Sequence, residues 1–316
     1  MLKVKKYLIV SIFLLSVFSV PAQQTKSLSQ LVKETMELRR QGNYWKGLSP
    51  FRHFIKDSST AMIREFEPYT NDSLENIRSF AYNAIAISGY KSTNSITRRN
   101  AVYILVTGCT DNEAALRKNI AGQLDNFQKK DFTSAAKQKL AKLLNMEETY
   151  YRHTVKLIGF LNMKDQIPVL NQMIDSGKVS NRTLIWDFHL TLARLGVQNE
   201  IDYCVSLVKS KIINDNVIYN LFPDLVYIRS KEAVDYMVEV LLSDSKNCYS
   251  PNPDNPVKIL CGYRVMEYLA PIIKDFPLEV DRDGELDIDD YEAGLVICRN
   301  WFKQHIDDYE IDDSKY

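Results

Sequence analysis

Glycine is scarce in this chain, 11 residues in 316, and strand-like alternation of apolar and polar residues is nearly absent. A sheet-based fold needs that period-2 patterning between turn residues, so the reading turns to helices. Histidine is scarcer still. His53, His153, His189 and His305 do not lie four residues from one another or from a cysteine, so no zinc spacing is present. There is no CxxC, no GxSxG and no glycine-rich phosphate loop. An excess of one charge is missing too: 40 basic and 40 acidic residues give a formal net of zero. That balance argues against a general nucleic-acid binder, whose signature is a strong basic surplus. The five cysteines are odd in number and sparse. Cys248 with Cys261 is the most plausible bridge, because Cys248 sits in a polar, proline-rich loop able to fold back.

Long apolar runs are lacking except at the start. Tyr7 to Val20 is apolar apart from serines, is preceded by Lys3, Lys5 and Lys6, and is followed by the small pair Val20 and Ala22 before Gln23. This reads as a secretory signal over residues 1–22, with export to a periplasmic or extracellular space; a retained anchor is the alternative. Fourteen residues are too few to span a bilayer, which takes about 20. No later segment is long and apolar enough to do so, and no cysteine follows the run to carry a lipid. The remaining charge is uneven: residues 279–316 hold 13 acidic and 4 basic side chains, a solvated acidic tail or a partner-binding one.

What the chain does have is internal repetition. Leu161, Leu195 and Ile228 stand 34 and 33 residues apart. Around them recur Ile158, Leu192 and Leu225 three residues earlier, Ile167, Ile201 and Val234 six later, and Leu170, Cys204 and Met237 nine later. Self-similarity at this period marks stacked supersecondary units, none able to bury its apolar face alone. Cys204, on a core position of the repeat, reads as a buried small hydrophobe. Helical periodicity predicts first helices over 148–161, 181–195 and 213–228 and second helices over 165–175, 199–210 and 231–242, with further helices over 96–106, 112–127 and 131–144. Asn94 or Ser95, Asp165, Ser180, Asn199 and Ser230 are the expected caps. Pro223 falls inside a first helix and should kink it.

The Leu195-Gly196-x5-Asp202 turn and the kinked Leu221-Phe222-Pro223-Asp224-Leu225 helix resemble the HEAT and armadillo class of repeats, clearly over residues 150–243 and more loosely over 97–124 and 261–276. The resemblance implies an all-α, right-handed α-solenoid of antiparallel helix pairs, with second helices lining a concave ligand-binding face and no particular chemistry. The organisation that follows is a signal at 1–22, an N-terminal helical cap at 23–92, repeats at 93–276 with a proline-rich insertion at 243–257, and an acidic connection with a capping helix at 277–316. Trp45 and Phe51 are expected over the open end of the first repeat. Gly42-x-Tyr44-x2-Gly47-x3-Phe51 is faintly similar to the start of a tetratricopeptide repeat.

Candidate chemistry is thin. Residues 279–290, written as a twelve-residue calcium loop, supply Asp281, Asp283, Glu285 and Asp290 around Gly284, but Glu stands at position 1 and Asp at position 12. A solvated acidic turn explains the same residues, and no cofactor is expected. His189, beside Phe188 in a first helix, reads as a surface or satisfied core residue. On the second helices, positions turned away from the core hold Gln172, Asp202, Ser206, Asp235 and Glu239, flanked by Tyr203 and Tyr236. Tyrosine beside acidic groups suits recognition. The expectation is a non-enzymatic exported scaffold that binds a protein or peptide on its concave face. The alternatives are an enzyme with its site in the groove or insertion, and a calcium-responsive module at residues 279–290.

Overall fold

The computed structural model describes residues 26–43, 47–146, 152–177, 179–252, 254, 256–281 and 285–314. The expected signal segment, Trp45 and Asp283 lie outside them. Among the described residues the chain forms fifteen α-helices, 68% helix in all, and one two-stranded antiparallel ribbon.

An N-terminal group comprises α1 (Leu28–Arg40), α2 (Arg52–Asp57) and α3 (Ser59–Phe66). Phe51 is fully buried there, edge-on to Phe66, which meets Phe80 in turn. Next come α4 (Glu75–Tyr90), α5 (Ser95–Gly108), α6 (Ala114–Gln123), α7 (Ser134–Leu143), α8 (Arg152–Phe160) and α9 (Ile167–Asp175). The chain continues through α10 (Arg182–Arg194), α11 (Gln198–Lys209), α12 (Asp215–Ile228) and α13 (Lys231–Leu242). It closes with the ribbon β1 (Cys248–Tyr249) and β2 (Lys258–Ile259), α14 (Gly262–Leu269) and α15 (Tyr291–His305).

Packing follows a rule. Many helices touch a chain neighbour, as α4 does α5 and α10 does α11, and one row of helices touches the helix two places on: α4 meets α6, α6 meets α8, α8 meets α10, α10 meets α12 and α12 meets α14. A second row runs beside it, with α5 against α7, α11 against α13 and α13 against α15. The apolar core changes hands at α10. Phe188, Leu192 and Leu195 belong to the cluster that starts at Val32, while Leu190 and Ala193 belong to the one that reaches Phe302. One helix thus serves two layers, as the 34-residue period requires when no unit can bury its own face.

Local chemistry accounts for the boundaries. Asn94 and Ser230 cap α5 and α13 through side-chain oxygens that accept backbone N–H bonds. At α10 the cap is Asn181 in place of the expected Ser180, and neither Asp165 nor Asn199 caps the helix assigned to it. Asn181 accepts from Thr183 and Leu184, one residue closer to the apolar stripe. Between α10 and α11 the chain reverses through Gly196 at φ +86°, with Val197 N–H bonded to Leu192 O and Gly196 N–H to Ala193 O. That left-handed step ends a helix at little cost only with glycine. Cys248 and Cys261 are joined in a disulfide that pins the proline-rich insertion to the start of α14. Cys109, Cys204 and Cys298 are free and buried.

A second periodic device holds the N-terminal half. Arg78 clamps Asp111 with Nε and Nη2 at 2.7 and 2.8 Å, and its Nη1 donates to the carbonyls of Asp72 and Ser73. Arg98 repeats this with Asp131 at 2.8 Å and the carbonyls of Ser92 and Thr93. Arg117 does so with the carbonyls of Asp111 and Asn112. Each arginine closes the turn before its own helix, and Arg78 and Arg98 also grip a carboxylate 33 residues on. Here the matching residues recur every 39 positions (Asp72 and Asp111, Arg78 and Arg117), longer than the spacing around α8–α13.

An aromatic groove between α10 and α11

Ile185 and Trp186 each stand three or four residues from both Arg182 and His189, so α10 presents the four along one stripe. The helix α11, which returns beside α10 after the Gly196 turn, adds Tyr203 and Leu207, and α12 adds Leu221. Together they line a groove of about 530 Å³. Tyr203 is 47% exposed at its centre, with its ring 4.8 Å from the His189 imidazole and 6.2 Å from the Trp186 indole.

The wall is fixed from behind. Trp186 Nε1 donates to Asp224 Oδ2 at 2.7 Å. The other oxygen of Asp224 accepts from Lys156 Nζ at 3.0 Å and Arg152 Nη2 at 3.2 Å. Arg152 Nε also reaches Asp187 Oδ1 at 3.0 Å. His189 Nδ1 bonds Glu200 at 2.6 Å. Both aromatic side chains on α10 are therefore held in one orientation, so little rotamer entropy is left to lose when something packs on them. Burial raises the Asp187 carboxyl above its ordinary value, against the charges of Lys156 and Arg152. Asp125, paired with His153, is likewise raised by burial, with the His153 bond opposing. Behind the wall, Asp125, Arg152, His153, Lys156, Asp224 and Tyr227 surround a smaller cavity of about 290 Å³. Both oxygens of Asp224 are engaged, which suits a carboxylate that positions Trp186.

The residues expected to meet a partner fall in different settings. Gln172, Asp202, Tyr203 and Ser206 are exposed on α9 and α11. Tyr236 is only 5% exposed: it packs against Phe222 and lies beneath the Lys209 ammonium, 4.9 Å from its ring. Glu239 pairs with that lysine at 3.2 Å, and Asp235 accepts from Lys231 and from the Tyr309 hydroxyl. Tyr236 and Glu239 line a separate cavity of about 460 Å³ beside the insertion, with Ser243 and Asn247. Trp186 and His189, which share the groove with Tyr203, were not among the residues expected there. The three- and four-residue steps from Arg182 to His189 were the signal for them.

The acidic connection is a hairpin. Asp281 N–H donates to Glu285 O, Asp287 N–H donates to Glu279 O, and Asp281 Oδ1 accepts from Glu285 N–H at 3.0 Å. Asp290 caps α15, accepting from Glu292 and Ala293. Among the described residues no group of three or more histidine, cysteine or acidic side chains is assembled for a metal, and no helix is long and apolar enough to cross a membrane. Another groove, about 620 Å³, runs between α4 and α6 and carries Asn76, Asn83, Asn119, Gln123 and His153. Comparison of the chain with protein-family models, curated proteins and solved structures gives no match.

Proposed function

We propose that this is an exported, non-enzymatic scaffold, a right-handed α-solenoid of HEAT- or armadillo-like helix pairs, that binds a protein or peptide partner. The α10–α11 groove is its principal contact. The observation that carries the reading is the preset aromatic set: Tyr203 exposed, with Trp186 and His189 locked beside it by Asp224 and Glu200. Tryptophan, tyrosine and arginine dominate binding energy at protein interfaces, and rigid anchors lose least on docking. Support for the solenoid comes from packing between alternate helices and from a core shared through α10. Support for export comes from the basic, apolar and small residues of Lys3–Ala22.

The test is a cross-linked pull-down with the chain lacking residues 1–22, repeated with Tyr203→Ala. Truncating a central aromatic anchor typically costs about 2 kcal/mol, roughly thirtyfold in affinity. The proposal expects the recovered partner to bind Tyr203→Ala that much more weakly while the melting temperature holds. Unchanged affinity sinks it.

A further inference from the structure

After α15 the chain doubles back along the edge where α14, α12 and α10 end. Lys231 Nζ donates to Ile306 O at 3.0 Å. Tyr309 then seats its ring 4.6 Å from the Lys231 ammonium and edge-on to Phe302, with its hydroxyl donating to Asp235 at 2.6 Å. The next residues pair antiparallel with the segment after α14: Lys274 N–H donates to Glu310 O at 2.9 Å and Asp312 N–H to Ile272 O at 2.7 Å. Asp313 ends the run between Arg194, at 2.9 Å, and Lys129, which comes from the turn after α6.

The two sides of this contact differ. The Arg194 side chain is 2% exposed, and its Nη1 is anchored on Tyr227 O at 2.7 Å; Asp313 is 58% exposed. Arg229, left-handed at φ +57°, is tied to Val226 O, and its buried Nε has no hydrogen-bond partner. Burial and then the charge of Arg194 pull its guanidinium down to about 10, while Asp313 and Asp312 push the other way. Arg194 ends α10 and Arg229 follows α12, and a guanidinium as covered as that of Arg194 needs an anion opposite it. The anion present is an exposed side chain two residues past the isolated bridge at Ile311.

We propose that Lys129, Arg194 and Arg229 form an acceptor for an extended acidic peptide. Tyr309–Asp313 fill it in cis, and a partner segment with an aromatic residue four positions ahead of an aspartate binds by displacing them. The site is separate from the α10–α11 groove and does not depend on what docks there. The charge supports it: the acceptor lies in the part of the chain where basic residues outnumber acidic ones, and its occupant comes from the strongly acidic end. A charge-assisted bond such as that from Arg194 Nη2 to Asp313 Oδ1 fits a carboxylate, and the Tyr309 slot sets the register.

The probe is a labelled synthetic peptide of residues 307–314, titrated by fluorescence anisotropy into the full chain and into the full-length Asp312→Asn/Asp313→Asn variant. That variant keeps the Tyr309 and Ile311 contacts, so its fold is retained, which circular dichroism checks. The peptide should bind the variant at least tenfold tighter than the unaltered chain and lose affinity as salt rises. Adding Arg229→Gln should remove the gain, and a scrambled peptide of equal charge should bind no better than background. Equal affinity for the variant and the unaltered chain overturns the proposal, as does equal binding of the scrambled peptide, which would reduce the site to unspecific charge.

Discussion

At the scale of single residues, buried charge is the feature with the largest consequences. Arg78 and Asp111 are nearly covered, and their pair joins one helix pair to the next. Removing one partner of such a pair strands the other, so Arg78→Ala should cost about 3 kcal/mol, the low end for buried pairs because Glu113 N–H still serves Asp111. Urea unfolding should show a lower midpoint at unchanged slope, and a shift worth under about 1 kcal/mol would contradict it. Burial alone would raise the Asp111 carboxyl, but the Arg78 bond, the Glu113 N–H and the charges of Arg78 and Arg117 together hold it below its ordinary 3.8. A depressed carboxyl stabilises the fold above the unfolded value and loses that contribution as pH falls through the folded one. Asp111→Asn should therefore flatten the acid limb of the stability curve below about pH 4. Asp187 and Asp125, raised by burial, have the opposite sign: they cost stability at neutral pH and regain it as pH falls. Gly159 is a steric case. A Cβ there would stand 2.4 Å from the Tyr227 hydroxyl, which donates to Lys156 O. Gly159→Ala should destabilise by about 1–3 kcal/mol, and Tyr227→Phe in the same chain should recover part of that loss, a coupling read from the double-mutant cycle.

At the scale of elements, the sequence is most legible where helical periodicity is strong. The expected span 231–242 coincides with α13, and the spans 181–195 and 199–210 match α10 and α11 to within a residue or two. Asn94 and Ser230 were readable as caps because each directly precedes an apolar stripe. Less legible was what two helices do together. Tyr203 and Tyr236 hold the same repeat position, yet one is exposed beside Trp186 and the other is covered by Phe222 and Lys209. Position along a repeat fixes a face, while burial depends on what the neighbouring layer brings. Tyr236→Ala should accordingly lower the melting temperature sharply, where Tyr203→Ala leaves it unchanged. The disulfide is the other element-scale feature. It closes a loop between residues 13 apart, and on the loop-entropy argument its reduction should cost about 3 kcal/mol. Burial pushes the thiols of Cys109, Cys204 and Cys298 up to about 12, so they should resist alkylation in the folded protein. Mild reduction should then release two labelled cysteines by mass, and a third would show that the core had opened.

At the scale of the whole molecule, the 34-residue period was visible because each layer buries the same positions. The arginine–aspartate clamps were not, because their partners stand 33 residues apart in polar turns that carry no apolar pattern. The return of the C-terminal segment to Arg194 was invisible for the same reason: its acidic residues read as solvated until a buried arginine is placed opposite. The central claim is that the stack offers its preset aromatic groove to a partner. A photo-crosslinking amino acid in place of Tyr203, compared with one in place of Ile96, which is 73% exposed on α5, tests it most directly in the protein's native surroundings. The account predicts a discrete cross-linked adduct from position 203 and none from position 96. No adduct at 203, or the same adducts from both positions, would contradict it.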